Sequence, residues 1–411
     1  MESKSPSFWK QHWRKLVAGY LVLLLASHLV VFFSKKGPEE EPAHRVVTED
    51  GLVIAYSEWG ERVGVPLILS HGSPGGGGSD FEVFARELAK ERWVIAPDRW
   101  GFGQSTKDVD DYSFIADAEA IATLMAALEI PEVDAMGWSY GGGVVLELAR
   151  RHPDSVRSLG LLGAIGIQEG EGSGSYAVEQ AKYFLMKLAV VALPEVVPHF
   201  GLAGDRMKRR AFVRDFQDAD MRPMRGLMES LEKPVLIVHG EDDPMVPAWV
   251  AEEHHRLLGN SRLVVLEGSH FFPMGGEGVE AAVKEVNSFL NAVALGEEVN
   301  GESYQSRRTN MKALWPGGPS LRGWKPWWLV MLVSGALAWR FPRTTVFLAG
   351  CVGSLLLFDG LLALGAVLLV LLGKRFFGKK PTKRRPRWKR FLLVVDFLAG
   401  SVLGGLLLRL G

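Results

Sequence analysis

Three side chains in this sequence have the types and the order for nucleophilic catalysis. Ser139 lies in Gly137-Trp138-Ser139-Tyr140-Gly141, between the strand-like run 133–136 and the helix-like run 144–151. A serine on a sharp strand-to-helix turn needs glycines two before and two after it, because side chains there would collide with the neighbouring strand and helix. A hydroxyl is a poor nucleophile at neutral pH, so Ser139 needs a base, an acid to orient that base, and N–H donors for an oxyanion. The base is His270, in Gly268-Ser269-His270, just after the apolar run 263–266. The acid is Asp243, in Gly240-Glu241-Asp242-Asp243-Pro244, just after the run 235–238. Asp242 competes for that role, but Pro244 and the Val246-Pro247 pair close a tight loop that would turn the Asp243 carboxylate toward His270. The oxyanion donors are expected to be the backbone N–H of Tyr140, directly after the nucleophile, and that of Ser73 in His71-Gly72-Ser73-Pro74-Gly75. Among the remaining histidines, His152 and His254-His255 read as surface or cap residues, while His71 and His239, each before a glycine at a strand end, read as structural. The glycine run 75–78 lacks the Gly-Lys-Ser/Thr ending of a phosphate loop, and no cofactor or metal is implied.

Positioning these groups requires a particular scaffold. Runs 46–47 and 52–56 flank the turn signal Glu49-Asp50-Gly51 and make a hairpin. Short apolar runs then alternate with helical patterns at 81–90, 114–128, 143–151, 248–258 and 278–293. Strands alternating with helices imply a mainly parallel sheet covered on both faces, with ligands bound beyond the carboxyl ends of the strands. Ser139, Asp243 and His270 all fall at such ends. The interval 165–232 breaks the alternation and is too long for an ordinary connection. We read it as a mostly helical cap, carrying an apolar run at 183–193 and the basic cluster Lys208, Arg209, Arg210.

Beyond this soluble α/β domain, taken as 44–295, the composition changes. Residues 16–33 carry no charge and are flanked by Lys10, Arg14 and Lys15 on one side and Lys35 and Lys36 on the other. That length lies at the lower end of what spans a bilayer, and with no small-x-small cleavage site before Ser34 it reads as an uncleaved anchor in a segment 1–43. Residues 296–326 read as a linker, and 327–411 as a membrane region of two or three helices at 327–341, 346–372 and 391–410. Residues 374–390 hold ten lysines and arginines and no acid, which places this loop on the cytoplasmic side. Whether 327–341 crosses decides which side the hydrolytic domain occupies. Lys+Arg and Asp+Glu both total 47, so no excess of positive charge points to nucleic acid. The one cysteine, Cys351, excludes an intrachain disulfide framework.

Five motifs in order give a family resemblance over 45–295: His71-Gly72-Ser73-Pro74-Gly75, Asp98-Arg99-Trp100-Gly101-Phe102-Gly103-Gln104-Ser105, the Ser139 pentapeptide, residues 240–247, and Gly268-Ser269-His270. Together they resemble α/β-hydrolase fold enzymes of the esterase, lipase and aminopeptidase group. That resemblance implies a Ser139–Asp243–His270 triad and makes 98–105 a structural loop near the site. Epoxide hydrolases and haloalkane dehalogenases use an aspartate where Ser139 stands, so those reactions are disfavoured; proline iminopeptidases share the His-Gly-x-Pro-Gly look, though their elbow usually reads Gly-Gly-Ser-Trp-Gly, and an iminopeptidase-like activity stays an alternative. Serine-triad perhydrolases and carbon–carbon bond hydrolases stay open. The expectation is a membrane-anchored serine hydrolase of an ester, acyl or lipid-like in substrate, with the lipid bilayer as its setting. A catalytically idle hydrolase-fold binding module is the alternative from another class.

Overall fold

The computed structural model describes residues 8–34 and 44–304. The expected C-terminal spans, the basic loop 374–390, residues 35–43 and all but the start of the linker 296–326 lie outside the described residues. Nine strands form one sheet in the order β1-β2-β4-β3-β5-β6-β7-β8-β9. They are β1 (Arg45–Val47), β2 (Val53–Trp59), β3 (Leu67–Ser70), β4 (Val94–Pro97), β5 (Val133–Trp138), β6 (Val156–Leu162), β7 (Val235–Gly240), β8 (Ser261–Leu266) and β9 (Gly301–Tyr304). Strand β2 runs antiparallel to both β1 and β4, and the pairings from β4 through β9 are parallel.

Period-two alternation sends successive strand residues to opposite faces. Along β8, Leu263 and Val265 face one apolar layer while Val264 and Leu266 face the other. The first layer is closed by α3 (Phe114–Ala127), α4 (Gly141–Arg151) and α9 (Ala248–Leu257). The second is closed by α2 (Gly77–Leu88) and α10 (Val279–Leu295), whose Phe81, Phe84 and Phe289 are fully buried. Burying each such ring contributes on the order of 1.5–3 kcal/mol.

The helical pattern at 81–90 begins earlier in the structure, at Gly77. A β-carbon on Gly77 would lie 2.5 Å from the Ala96 carbonyl, so glycine there serves close packing of α2 on β4 rather than ending the helix. The sheet also extends past Leu295, because Gly301–Tyr304 pairs in parallel with β8 inside the stretch that reads as a linker. A four-residue strand of Gly-Glu-Ser-Tyr carries no apolar alternation, and its register comes from the partner strand.

Between β6 and β7 lie α5 (Tyr176–Lys187), a π-turn at Leu188–Ala192, α6 (Leu193–Val196), α7 (Arg206–Asp218) and α8 (Met224–Glu229). At the N-terminus, α1 (Phe8–Ser34) is a single helix of 27 residues. Its stretch His12–Ser34 has a mean hydropathy of 2.4 in its most apolar window, and only 6% of that window is buried.

Candidate active site

Ser139 directly follows β5 and precedes α4 by two residues, with φ 54°, in the left-handed region that non-glycine residues seldom enter. The turn is held from both sides. Ser139 N donates to the Leu162 carbonyl at the end of β6, and the Ser139 carbonyl accepts from Ile165 N, at 3.0 and 3.1 Å. A β-carbon on Gly137 would meet the Gly141 carbonyl at 2.1 Å, which is why the elbow needs glycine at that position. Tyr140 occupies the N-cap of α4, where the first amides have no intrahelical carbonyl to reach.

His270 and Asp243 meet in the loops after β8 and β7. His270 Nδ1 lies 2.7 Å from Asp243 Oδ2, and both side chains are almost fully buried. The other carboxylate oxygen, Oδ1, accepts from Met245 N and Val246 N at 2.8 Å each, so the loop closed by Pro244 and Pro247 fixes the acid. Asp242 is exposed, and the pairing selects Asp243. With Nδ1 engaged by the carboxylate, Nε2 of His270 is the nitrogen left to accept a proton. A β-carbon on Gly163 would fall 3.3 Å from Asp243 Oδ2 and 3.4 Å from His270 Nδ1, so the chain leaving β6 runs directly beneath the pair. The same residue follows Leu162, which holds Ser139 N. The Ser139 backbone and the His270–Asp243 pair therefore both adjoin the end of β6.

Trp138 escaped the motif reading. Its indole Nε1 donates to the His270 carbonyl at 2.9 Å, and its ring lies 5.4 Å from the imidazole centroid. It couples the elbow strand to the histidine loop, a role its place beside Ser139 allows but does not announce.

On the opposite side, Gly72 approaches the nucleophile closely, since a β-carbon on Gly72 would come within 3.1 Å of Ser139 Cβ. Ser73 follows it and is joined to Pro74 by a cis peptide bond. His71 is buried; its Nδ1 faces the Gly72 carbonyl at 2.7 Å and its Nε2 accepts from Arg99 N at 3.0 Å. Burial, then the Arg99 charge, pushes its pKa well down, so it stays neutral and structural.

A second assembly stands behind this loop. Arg99 is buried and bonds Asp117 at 2.6 Å and Asp215 at 2.7 Å, as well as the carbonyls of His71 and Gly72. Its guanidinium also lies 4.2 Å from the centroid of the Tyr140 ring. Burial works against the arginine charge, but the two carboxylates outweigh it and raise its pKa. Burial raises Asp215 to about 7 despite the opposing pull of Arg99. Ser73 Oγ sits near enough to favour the charged carboxylate, yet neither Ser73 Oγ nor Asp215 Oδ1 completes a hydrogen bond. Tyr140 Oη donates to the Asp215 and Tyr112 carbonyls. Because Asp215 belongs to α7, these bonds fasten the cap to the loops that flank Ser139. Arg99 appeared in the sequence only within a loop motif, and nothing nearby in sequence marks Asp215 as its partner.

Within 98–105, the Asp98 carboxylate accepts from Gly77 N and Gln104 N at 2.7 Å each, which ties this loop to the start of α2. His152 caps the end of α4 within 3.2 Å of Glu119. His254 departs from the surface reading: it is 1% exposed, and burial, then His239, lowers its pKa to about 3. The helical period puts it on the inward face of α9 with Val250, Ala251 and Leu257.

A sequence profile of the alpha/beta hydrolase fold matches residues 65–226, and one of TAP-like proteins matches 215–298. The 2-hydroxymuconate semialdehyde hydrolase of Pseudomonas sp. (strain CF600) is 30% identical over 224 residues, covering 48% of this chain and 79% of that protein. Serine hydrolase BPHL of Homo sapiens is 30% identical over 230 residues, covering 54% and 79% respectively. Among solved structures, a thermophilic esterase from Thermogutta terrifontis aligns with a TM-score of 0.48 at 21% identity, over 61% of this chain and 99% of that one. The relatives and the matched profiles place this chain in the α/β-hydrolase fold family, as a hydrolase.

Proposed function

We propose that the protein is a membrane-anchored serine hydrolase that cleaves an ester bond of an acyl or lipid-like substrate. The observation that carries the reading is the 2.7 Å contact between His270 Nδ1 and Asp243 Oδ2, set beside a serine at φ 54°. Ser139 Oγ attacks the ester carbonyl while His270 Nε2 takes its proton. Asp243 orients the imidazole and stabilises its charged form. The Tyr140 and Ser73 amides receive the oxyanion. The alkoxide leaves with the proton from His270, and water then cleaves the acyl-enzyme by the same route.

Anchoring is supported by α1, whose apolar stretch His12–Ser34 is long enough to cross a bilayer and is almost unburied by protein. The preference for an ester over an acidic carbon–carbon substrate draws on Arg99. That cation already bonds two carboxylates and two carbonyls, so it offers no free charge to an anionic substrate beside Ser139. A relative named as a methyl ester esterase fits the ester reading, while one named as a semialdehyde hydrolase keeps carbon–carbon cleavage as the second.

The protein purified in detergent should hydrolyse p-nitrophenyl esters, with longer acyl chains preferred. Turnover of a vinylogous 1,5-diketone with no turnover of any ester would replace this reading with the second.

A further inference from the structure

The apolar run of α1 contains three polar side chains, Tyr20, Ser27 and His28, and all three are spent on the backbone of the cap. Their spacing of seven and eight residues puts them on one helix face. Ser27 Oγ, fully buried, accepts from His199 N at 2.8 Å and Phe200 N at 2.7 Å. His28 Nε2 lies 3.0 Å from the Glu195 carbonyl, and Tyr20 Oη donates to the Val196 carbonyl. The segment they hold runs from the last residues of α6 to the start of α7, and residues 197–205 within it form neither helix nor strand. Arg209 completes the arrangement from the other side. Its guanidinium bonds the Ala203 and Gly204 carbonyls and the Val190 carbonyl of the π-turn, at 2.8, 2.6 and 2.8 Å.

Outward from this satisfied backbone, the cap tip shows Phe184, Leu185, Leu188, Val196, Phe200 and Leu202, with Leu202 73% exposed. The remaining faces of α1 are exposed and apolar as well. In water such a surface is a liability. In hydrocarbon it is favourable, but there irregular backbone survives only where protein groups satisfy its polar atoms. Ser27, His28, Tyr20 and Arg209 do this for the amides of His199 and Phe200 and the carbonyls of Val190, Glu195, Val196, Ala203 and Gly204.

We propose that the cap tip is inserted into the hydrocarbon of a lipid bilayer alongside α1. This rests on α1 being the anchor. Ser27 and His28 stand six or seven residues before Ser34, roughly 10 Å along the helix axis. That offset places the tip below the headgroups on the side where the hydrolase domain emerges. From the tip, α7 runs nine residues, about 14 Å, from Arg206 to Asp215 beside Arg99. A substrate tail leaving the bilayer therefore has a helical wall to follow to Ser139.

The experiment uses the full chain with its only cysteine removed by Cys351→Ser. Single cysteines replace Leu202, Phe184, Leu25 on α1, and Val63 in the loop between β2 and β3. Each is labelled with an environment-sensitive fluorophore and reconstituted into phosphatidylcholine vesicles. Brominated acyl chains should remove most of the emission from positions 202, 184 and 25, and aqueous iodide should leave it intact; position 63 should respond in reverse. Quenching by brominated lipid at 25, with iodide access at 202 and 184, overturns the insertion and leaves the anchor standing. Iodide access at all four positions overturns both.

Discussion

The strand-end site and the cap tip both arrange polar groups around irregular backbone, but for opposite surroundings. Around Ser139 the sheet supplies rigidity, and the loops after β5, β7 and β8 carry one catalytic candidate each. Their polar atoms are bonded inward, as Asp243 is to Met245 N, Val246 N and His270. The cap tip has no sheet beneath it. It borrows Ser27 and His28 from a helix more than 160 residues away in sequence, and turns its apolar side chains outward. One region buries charge around the proposed nucleophile, and the other ties down its backbone and leaves apolar side chains exposed. Arg99 and Asp215 are where the two meet.

Breaking the site should have the largest effect. Asp243→Asn keeps the shape but loses the charge that fixes the imidazole, and should lower kcat for a p-nitrophenyl ester on the order of 10⁴-fold with little change in KM. Breaking the junction comes next. Asp215→Ala leaves Arg99 buried with one carboxylate and should cost about 3–5 kcal/mol in chemical denaturation, because both side chains are at most 1% exposed. Asp215→Asn should cost less, since it keeps the volume and a hydrogen-bond acceptor.

A smaller effect comes from His254. The unfolded histidine takes up its proton near 6.5, whereas the buried side chain resists until about 3. Across that window the unfolded state binds more protons, so stability falls as pH drops, by about 1.4 kcal/mol per pH unit and on the order of 2 kcal/mol between pH 6.5 and 5. His254→Leu should flatten the dependence of the denaturation midpoint on pH between those limits. The smallest effect on folding belongs to the tip. Leu202→Gln and Phe184→Gln should change stability by no more than about 0.5 kcal/mol in detergent, while reducing turnover of an ester embedded in vesicles relative to a soluble one.

The site was more legible than its supports. Ser139, Asp243 and His270 each follow a run of apolar residues, and a parallel sheet brings such positions together whatever lies between them. The order of motifs singles them out as candidates, and Pro244 and Pro247 favour Asp243, the carboxylate that lies 2.7 Å from His270 Nδ1, over Asp242. Asp215 could not be read in this way. Helical periodicity predicts which face of α7 turns inward but not that Arg99 waits there. Ser27 and His28 do not stand out within the uncharged run 16–33, because the backbone they bond lies in another part of the chain. His254 failed for a related reason: histidine is common at helix surfaces, and only packing of α9 under the cap excludes water from it. β9 lacked any apolar pattern, so a linker was the natural reading.

Ser139 is the proposed nucleophile. Full-length protein and its Ser139→Ala variant, purified in the same detergent and matched for folding by circular dichroism, should be treated with a fluorophosphonate probe. We expect covalent labelling of the first and none of the second, with the adduct mapped to the peptide containing Ser139. Equal labelling of both, or no labelling of the folded unsubstituted protein, would contradict it.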